Sequence, residues 1–176
     1  WRTRNPKGFH LEYGYSCMGY EIAGGLGVKM ADPGREVYVM VGDGSYLMMS
    51  SEIVTSIQED VKLTIILINN HGFASIGGLS KSLETEGFGT QYRARDKGSG
   101  LLDGDVLPVD LARNAESLGA DVIRTHNAAS LSAALQQART RSKTTVIYVE
   151  SVPERKMAGY GHAWWEVPIA AISETP

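Results

Sequence analysis

Short apolar segments that alternate with helical segments are the feature that most restricts the fold of this chain. Residues 36–41 (EVYVMV) and 62–68 (KLTIILI) are nearly continuous in apolar and β-branched side chains. Such runs are typical of strands covered on both faces of a parallel sheet. Residues 46–58, which lie between them, read as a helix. The alternation predicts an α/β fold, a three-layer α/β/α domain with a mainly parallel sheet.

The same alternation extends to both sides of this central unit. A helix rich in small residues precedes it and is closed by the breaker at 31–34. After a long interruption, two helices and two strands follow in turn, which favours helices on both faces of the sheet. The predicted segments are a helix at 18–30, a helix at 111–118, a strand at 120–124, a helix at 129–139 and a strand at 144–150.

Two regions do not fit the alternation. Residues 71–108 are irregular and glycine-rich, and a connection of that length is typical of a functional loop. Its charged part, 81–97, is interpreted either as a solvated mobile loop or as a lid over a site. The tail from residue 152 is aromatic; Tyr160, Trp164 and Trp165 suit a subunit interface, an active-site cover or local packing.

Composition excludes several classes of function. A chain of 176 residues with 43% hydrophobic residues has room for one domain with a buried core. The net charge of −3 disfavours nucleic acid as a partner, because phosphate binding needs clustered Lys and Arg. The apolar runs are far shorter than the roughly 20 residues that a membrane helix needs, so no membrane partner is expected. Cys17 is the single cysteine, which excludes an internal disulfide and favours the cytoplasm.

Polar residues follow each of the two central strands. Asp43 comes directly after the first, within Gly42-Asp43-Gly44, and Asn70 comes shortly after the second. Because the strands of a right-handed βαβ unit commonly lie side by side, about 4.8 Å apart, one cation could bind both side chains. Carboxylate and amide oxygens favour Mg²⁺ or Ca²⁺, and so sparse a protein set suggests that a phosphate supplies further oxygens.

The residues around Asp43 suit a phosphate. Gly42 and Gly44 let the backbone approach a ligand closely, and Ser45 is expected to open the next helix, where N–H groups attract anions. A turn of this kind is by itself common at ordinary strand ends. Its combination with the asparagines of the second strand end makes the pattern more specific.

Gly42-Asp43-Gly44-Ser45 followed by Asn69-Asn70 resembles the diphosphate-binding signature of thiamine-diphosphate enzymes of the acetolactate synthase and pyruvate decarboxylase type. The resemblance implies thiamine diphosphate and Mg²⁺ as cofactors. It implies that Asp43, Asn70 and the backbone carbonyl of Gly72 hold the metal. The cofactor-binding residues it implies are Ser16, Cys17, Met18, Gly42, Asp43, Gly44, Ser45, Asn70, Gly72, Phe73, Ala74 and Ser75.

Residues 14–20 (GYSCMGY) resemble the pyrimidine-side loop of the same family. By that resemblance Met18 props the cofactor in its bent form, and the backbone of Ser16 and Met18 contacts the pyrimidine; core packing is the alternative for Met18. Cys17 is interpreted as a small buried hydrophobic residue and not as a nucleophile, because no histidine is placed beside it. His10, His71 and His162 are weaker candidates for acid–base groups.

A narrower likeness concerns the trihydroxycyclohexanedione hydrolases of myo-inositol catabolism, a group within that family. Residues 10–27, 42–56, 102–120 and 159–167 carry it. It implies hydrolytic carbon–carbon ring cleavage of trihydroxycyclohexane-1,2-dione to 5-deoxy-glucuronate. The alternatives are an acetolactate synthase-like ligase or 2-oxo acid decarboxylase, and a non-catalytic nucleotide-binding α/β module.

The resemblance also implies that part of the site comes from elsewhere. In the family, a glutamate on a separate pyrimidine-binding domain of a partner subunit activates the cofactor. We therefore expect a homodimer or homotetramer and assign no catalytic residue to this chain, neither Glu12 nor Glu21. Because the chain opens at Trp1 without an initiator Met, residues 1–176 are expected to be one thiamine-diphosphate domain, a C-terminal fragment of a longer chain that is inactive alone.

Overall fold

The structure is a computed structural model that describes residues 7–11, 15 and 17–151. Strands and helices alternate through most of this range. Their bounds are α1 (Tyr20–Ala31), β1 (Tyr38–Gly42), α2 (Asp43–Met49), α3 (Glu52–Gln58), β2 (Thr64–Asn69), α4 (Ala74–Ser82), α5 (Leu111–Ser117), β3 (Asp121–Thr125), α6 (Ala128–Thr140) and β4 (Thr145–Glu150).

The described chain divides into two compact units. The sheet unit combines the chain up to Ile68 with Ala112–Val149, and the loop unit combines Asn69–Leu111 with Glu150 and Ser151. Across the described ranges, every helix is too short or too polar to cross a bilayer.

In the part of the chain that the structure describes, the sheet has four strands in the order β1-β2-β4-β3. β1 pairs in parallel with β2, and β3 pairs in parallel with β4. The register places Gly42 opposite Ile68, so β1 and β2 end at the same level. Parallel neighbours joined through helices confirm the predicted α/β class with a mainly parallel sheet.

Burial differs between the two central strands. β2 is buried along most of its length, as predicted for a strand covered on both faces. In β1, Val39 and Val41 are buried, but Tyr38 and Met40 are 41% and 61% exposed. The expectation of two covered faces is therefore wrong for β1 within the described residues. β1 lies at one edge of the sheet that the described residues form, and its apolar run hid this alternation of burial.

Two predicted segments differ from the observed elements. The single helix expected at 46–58 is two helices, α2 and α3, separated at Ser50 and Ser51. There the amides of Ile53 and Val54 donate to the carbonyls three residues earlier, which tightens the chain. The interval 71–108 also contains α4, which the irregular reading missed, because its sequence ASIGGLSKS is poor in strong helix formers.

Helix α1 packs closely on β1 at a glycine. Ile22 and Leu26 of α1 are 2% and 4% exposed, so this face of the helix belongs to the core. A Cβ atom at Gly25 would lie 2.3 Å from Cγ2 of Val39, which is too close for any side chain. Gly27, on the same helix, has no heavy atom of the described residues within 4 Å of the equivalent position. The first glycine is therefore required by packing and the second is not.

This contrast yields a matched pair of variants. Gly25→Ala gains helix propensity but overpacks the contact with buried Val39, so we expect the free energy of unfolding to fall by about 1–3 kcal/mol. Gly27→Ala should raise it by about 0.5–1 kcal/mol, because only the propensity gain applies. Urea unfolding measures both. Equal effects of the two substitutions would contradict the close packing of α1 on β1.

Candidate functional site

The end of β1 leads directly into a helix. Asp43 is the first residue of α2, and its side chain is buried, with the residue 1% exposed. Its Oδ1 accepts a hydrogen bond from the Gly44 amide at 3.1 Å. Gly42 has extended backbone, and a Cβ there would meet nothing within 4 Å. As far as the described residues go, the space beside Gly42 is therefore open, and Asp43 is the next residue in the sequence.

The helix begins earlier than predicted. Ser45 was expected to open it, but α2 starts at Asp43, so Ser45 is the third helical residue. It remains in the first turn, where backbone amides have no acceptor within the helix. Gly44 and Ser45 are both buried, with Ser45 8% exposed. The correction moves the start of the helix and keeps both residues at its N-terminal end.

The end of β2 forms a tight turn. Asn69 is 2% exposed, and its Oδ1 accepts from the His71 amide at 3.1 Å. Its backbone carbonyl accepts from the Ser151 amide at 2.8 Å. His71 adopts a left-handed backbone with φ of 62°, which is uncommon for a residue other than glycine. Asn69 therefore shapes the turn, and Asn70 is the predicted ligand of the pair.

A second chain segment holds the residues after this turn. Gly72 pairs with Gln91 in an antiparallel bridge, and a Cβ at Gly72 would lie 2.2 Å from the Thr90 carbonyl oxygen. That oxygen also accepts from the Phe73 amide at 2.8 Å. The Phe73 ring meets the Tyr92 ring edge-on, with centroids 6.1 Å apart. Glycine at 72 is thus required by packing, whatever ligand its carbonyl holds.

The predicted diphosphate contacts of this segment lie at a helix start. Ala74 and Ser75 are the first two residues of α4, and the N-cap residue Phe73 makes no side-chain cap hydrogen bond. The first amides of a helix lack acceptors within it and suit an anion. Asp43 belongs to the sheet unit, and Asn70 to Ser75 belong to the loop unit. That Asp43, Asn70 and Gly72 bind one cation stays a prediction.

The predicted pyrimidine-side loop precedes α1. Cys17 is exposed, so the expectation that it is buried is wrong; Met18 is 38% exposed, which disfavours core packing. Gly19 has a left-handed φ of 94°, and a Cβ there would lie 3.1 Å from Cβ of Met48, so this segment lies against α2. The Gly19 amide donates to Oε2 of Glu21 at 3.0 Å, a local capping role. Ser16, Glu12, His162 and the aromatic tail lie outside the described residues.

Tyr46 was not predicted as part of this region. It is fully buried on α2, and its hydroxyl donates to Oδ1 of Asn114 on α5 at 2.8 Å. Burial raises the pKa of the Tyr46 phenol, because the anion would lose its hydration. The hydrogen bond ties α2, the helix that begins at Asp43, to α5. Sequence could indicate only that a buried tyrosine needs a partner, because Asn114 is distant along the chain.

The loop unit contains a cavity of about 290 Å³. One wall follows the β2 turn, where Nε2 of His71 and Oε1 of Glu150 lie 2.6 Å apart. Other lining residues come from the interval predicted as a loop or lid. The residues that line the cavity are Asn70, His71, Gln91, Tyr92, Arg93 and Val106. Gln91 and Arg93 were missed from sequence, because charged loops usually face solvent.

The Tyr46 contact can be tested by stability. Tyr46→Phe removes the bond to Asn114, so we expect the free energy of unfolding to fall by about 1 kcal/mol at pH 7. Because folding raises the Tyr46 pKa above its ordinary value near 10, the unfolded state ionises first and the wild type loses stability above that pH. The variant lacks this loss, so the gap between the two proteins should narrow by about pH 11.

Urea unfolding at both pH values measures the gap. Tyr38→Phe, at a tyrosine that is 41% exposed on β1, is the control and should leave the stability at pH 7 unchanged. A gap that widens with rising pH would contradict the buried, neutral phenol.

Similar proteins were found by sequence. The chain is 41% identical over 175 residues to 3D-(3,5/4)-trihydroxycyclohexane-1,2-dione hydrolase 2 of Bacillus cereus, covering 99% of this chain and 27% of that protein. It is 42% identical over 175 residues to the 3D-(3,5/4)-trihydroxycyclohexane-1,2-dione hydrolase of Bacillus thuringiensis (strain Al Hakam), with the same coverage of 99% and 27%. The chain thus spans about a quarter of the length of these relatives.

Similar solved structures support the fold alone. The Rhodococcus jostii RHA1 thiamine diphosphate-dependent 4-hydroxybenzoylformate decarboxylase matches with a TM-score of 0.62 and 24% identity, over 77% of this chain and 23% of that one. Benzoylformate decarboxylase from Polynucleobacter necessarius matches with a TM-score of 0.65 and 18% identity, over 81% and 25%.

The family itself is established by its sequence model. The model described as "Thiamine pyrophosphate enzyme, C-terminal TPP binding domain" matches residues 1–149, which include both polar strand ends, the loop unit up to Leu111 and the sheet. The chain belongs to the thiamine pyrophosphate enzymes, as a member of their C-terminal TPP-binding domain family.

Proposed function

We propose that the protein containing this chain hydrolyses a carbon–carbon bond of trihydroxycyclohexane-1,2-dione and opens its ring to 5-deoxy-glucuronate, a step of inositol catabolism. The observation that carries the proposal is 41–42% identity to hydrolases of that name over 99% of the chain. Membership of the TPP-binding family supports thiamine diphosphate as the cofactor and disfavours a plain nucleotide-binding module. The substrate is then a small cyclic dione, and the site of action is the cytoplasm.

In this proposal the chain supplies the Mg²⁺ and diphosphate half of the site. Asp43, Asn70 and the Gly72 carbonyl hold Mg²⁺. Asp43 follows β1 directly and is 1% exposed, which supports its role because the attraction between a carboxylate and a cation is stronger away from bulk water. The level ends of β1 and β2 support the pairing of the two loops in one function. A carboxylate, an amide and a carbonyl are hard oxygen ligands that suit Mg²⁺.

The amides at 44–45 and 74–75 hold the diphosphate. The position of Ala74 and Ser75 at the start of α4 supports this role, as does the open space beside Gly42. Met18, with Ser16 and Cys17, contacts the pyrimidine, and the exposure of Met18 and Cys17 supports that role. When bound, thiamine diphosphate would supply a nucleophilic carbon for reaction with a carbonyl group of the substrate. The chain's own residues bind and orient it.

The remaining half of the site lies on another domain. The activating glutamate belongs to a pyrimidine-binding domain of a partner subunit in a homodimer or homotetramer. Residues 1–176 form the TPP-binding domain of a longer protein and are inactive alone. The chain's share of about a quarter of the length of its relatives supports this division. Glu21, which accepts from the Gly19 amide, acts as a local cap.

The full-length protein tests the reaction directly. With thiamine diphosphate and Mg²⁺ it should convert the cyclic dione to 5-deoxy-glucuronate, measured by loss of dione and appearance of the acid. Unchanged dione would overturn the proposal. Turnover of pyruvate in place of the dione would favour the ligase or decarboxylase alternative.

Asp43→Asn tests the metal role. It removes the charge of a proposed ligand, and loss of a ligand should exceed the roughly 10–100-fold cost of losing an outer partner. We expect thiamine diphosphate affinity in the presence of Mg²⁺ to fall at least about 100-fold in the full-length protein, measured by calorimetry.

Asp60→Asn is the matched control for this experiment. Asp60 is an exposed residue with a left-handed φ of 53°, a backbone that asparagine tolerates well. This variant should bind the cofactor as the wild type does. Wild-type affinity in Asp43→Asn would contradict the assignment of Asp43 to the metal.

A further inference from the structure

We propose that the cavity of the loop unit is a binding subsite for the oxygen atoms of a small polyhydroxylated ring or sugar acid, with Arg93 as its specificity-determining residue. The choice of ligand class rests on the proposed function. Arg93, Gln91 and Val106 form the subsite. They are not among the residues proposed to bind the cofactor.

The guanidinium of Arg93 uses only part of its hydrogen-bonding capacity within the described residues. Nε of Arg93 donates to Oε1 of Gln91 at 3.0 Å, and Nη1 donates to the Gly104 carbonyl at 3.0 Å. A guanidinium carries five N–H donors in one plane. Within the described residues, these two bonds are the contacts of the Arg93 head, so further N–H donors on the same plane remain for a ligand in the cavity.

The backbone that carries Arg93 is held in place by pairing with other segments. Arg93 pairs with Val106 in an antiparallel bridge, and the Leu107 amide donates to the Tyr92 carbonyl at 2.8 Å. The Tyr92 amide in turn donates to the His71 carbonyl at 3.3 Å. Backbone bonds therefore connect the arginine to the turn after β2. A binding group held in this way loses little conformational entropy when a ligand arrives.

The charged groups of the cavity lining indicate the class of ligand. Among the residues that the structure describes, the cavity lining includes the guanidinium of Arg93 and no carboxylate. The carboxylate of Glu150 contacts a lining residue: its Oε1 lies 2.6 Å from Nε2 of His71. A guanidinium in the lining favours an anionic or oxygen-rich ligand. The planar fork of arginine matches two adjacent oxygens, as in a carboxylate or a vicinal dioxygen group.

The size and position of the cavity suit a small ligand. A volume of about 290 Å³ lies near the lower end of small-molecule sites, which begin at roughly 300 Å³, so one six-carbon ring or open-chain acid is the appropriate occupant. Val106 offers an apolar surface for the carbon skeleton. Asn70, the proposed metal ligand, lines the same cavity, so an occupant would lie beside that residue.

Arg93→Lys in the full-length protein tests the subsite. Lysine keeps the charge but loses the planar fork, so we expect the Kd for D-glucuronate, used as the probe, to rise about 10- to 100-fold. Calorimetry measures it together with the Kd for thiamine diphosphate in the presence of Mg²⁺, which should stay unchanged. The KM for the cyclic dione should rise more than kcat falls.

Arg95→Lys is the matched control. Arg95 lies on the same loop, donates from Nη1 to the Gly100 carbonyl and sits 6.0 Å from the centre of the Phe88 ring, away from the cavity lining. It should bind glucuronate as the wild type does. Gln91→Met retains Arg93 but removes the acceptor of its Nε, and should raise the glucuronate Kd about 3- to 10-fold.

The outcomes separate the subsite from the proposed reaction. No glucuronate binding by the wild type, or unchanged binding in both Arg93→Lys and Gln91→Met, overturns the subsite. A weaker Kd for thiamine diphosphate in Arg93→Lys with unchanged glucuronate binding also overturns it, since the cavity would then hold diphosphate. Glucuronate binding that depends on Arg93, in a protein that leaves the dione intact, supports the subsite and overturns the reaction.

Discussion

The parallel pairing of β1 with β2 is the constraint on which the rest of the structure depends. Its register sets Gly42 opposite Ile68 and so brings two strand ends to one level. Val39 and Val41 keep that register, because a slip of one residue would turn these buried side chains outward and Tyr38 and Met40 inward. The close contact of Gly25 with Val39 adds a steric lock on the same strand. The packing of α1 on β1 therefore helps to fix the strand end that precedes Asp43.

The two polar strand ends are built by different means. After β1 the chain enters a helix at once, and Asp43 is buried at its first position. After β2 the chain makes a turn that depends on side-chain and backbone bonds: Asn69 caps the His71 amide, and Gly72 admits the Thr90 carbonyl at a distance that no side chain would allow. The first end is thus determined by its helix, and the second by a distant chain segment.

The two strand ends also differ in how much of their surroundings the motif indicates. The helix end carries residues that the motif already indicates, whereas the turn recruits a second segment and forms a cavity with it. In that cavity Gln91 and Arg93 sit on backbone that is paired to the turn itself. Loops held on a rigid scaffold in this way commonly carry functional differences between related proteins.

The local pattern of the sequence determined the class of fold, the placement of most strands within two residues, the polar character of both strand ends and the family. Those signals depend on neighbours along the chain: alternating apolar runs, glycine turns and a spaced motif. The tertiary structure alone decided that β1 is an edge strand, that α4 interrupts the long loop, and that Cys17 and Met18 are exposed. It also decided the bonds of Tyr46 to Asn114 and the bridge of Arg93 to Val106. These features join residues far apart in sequence, and burial and pairing arise only when such segments meet.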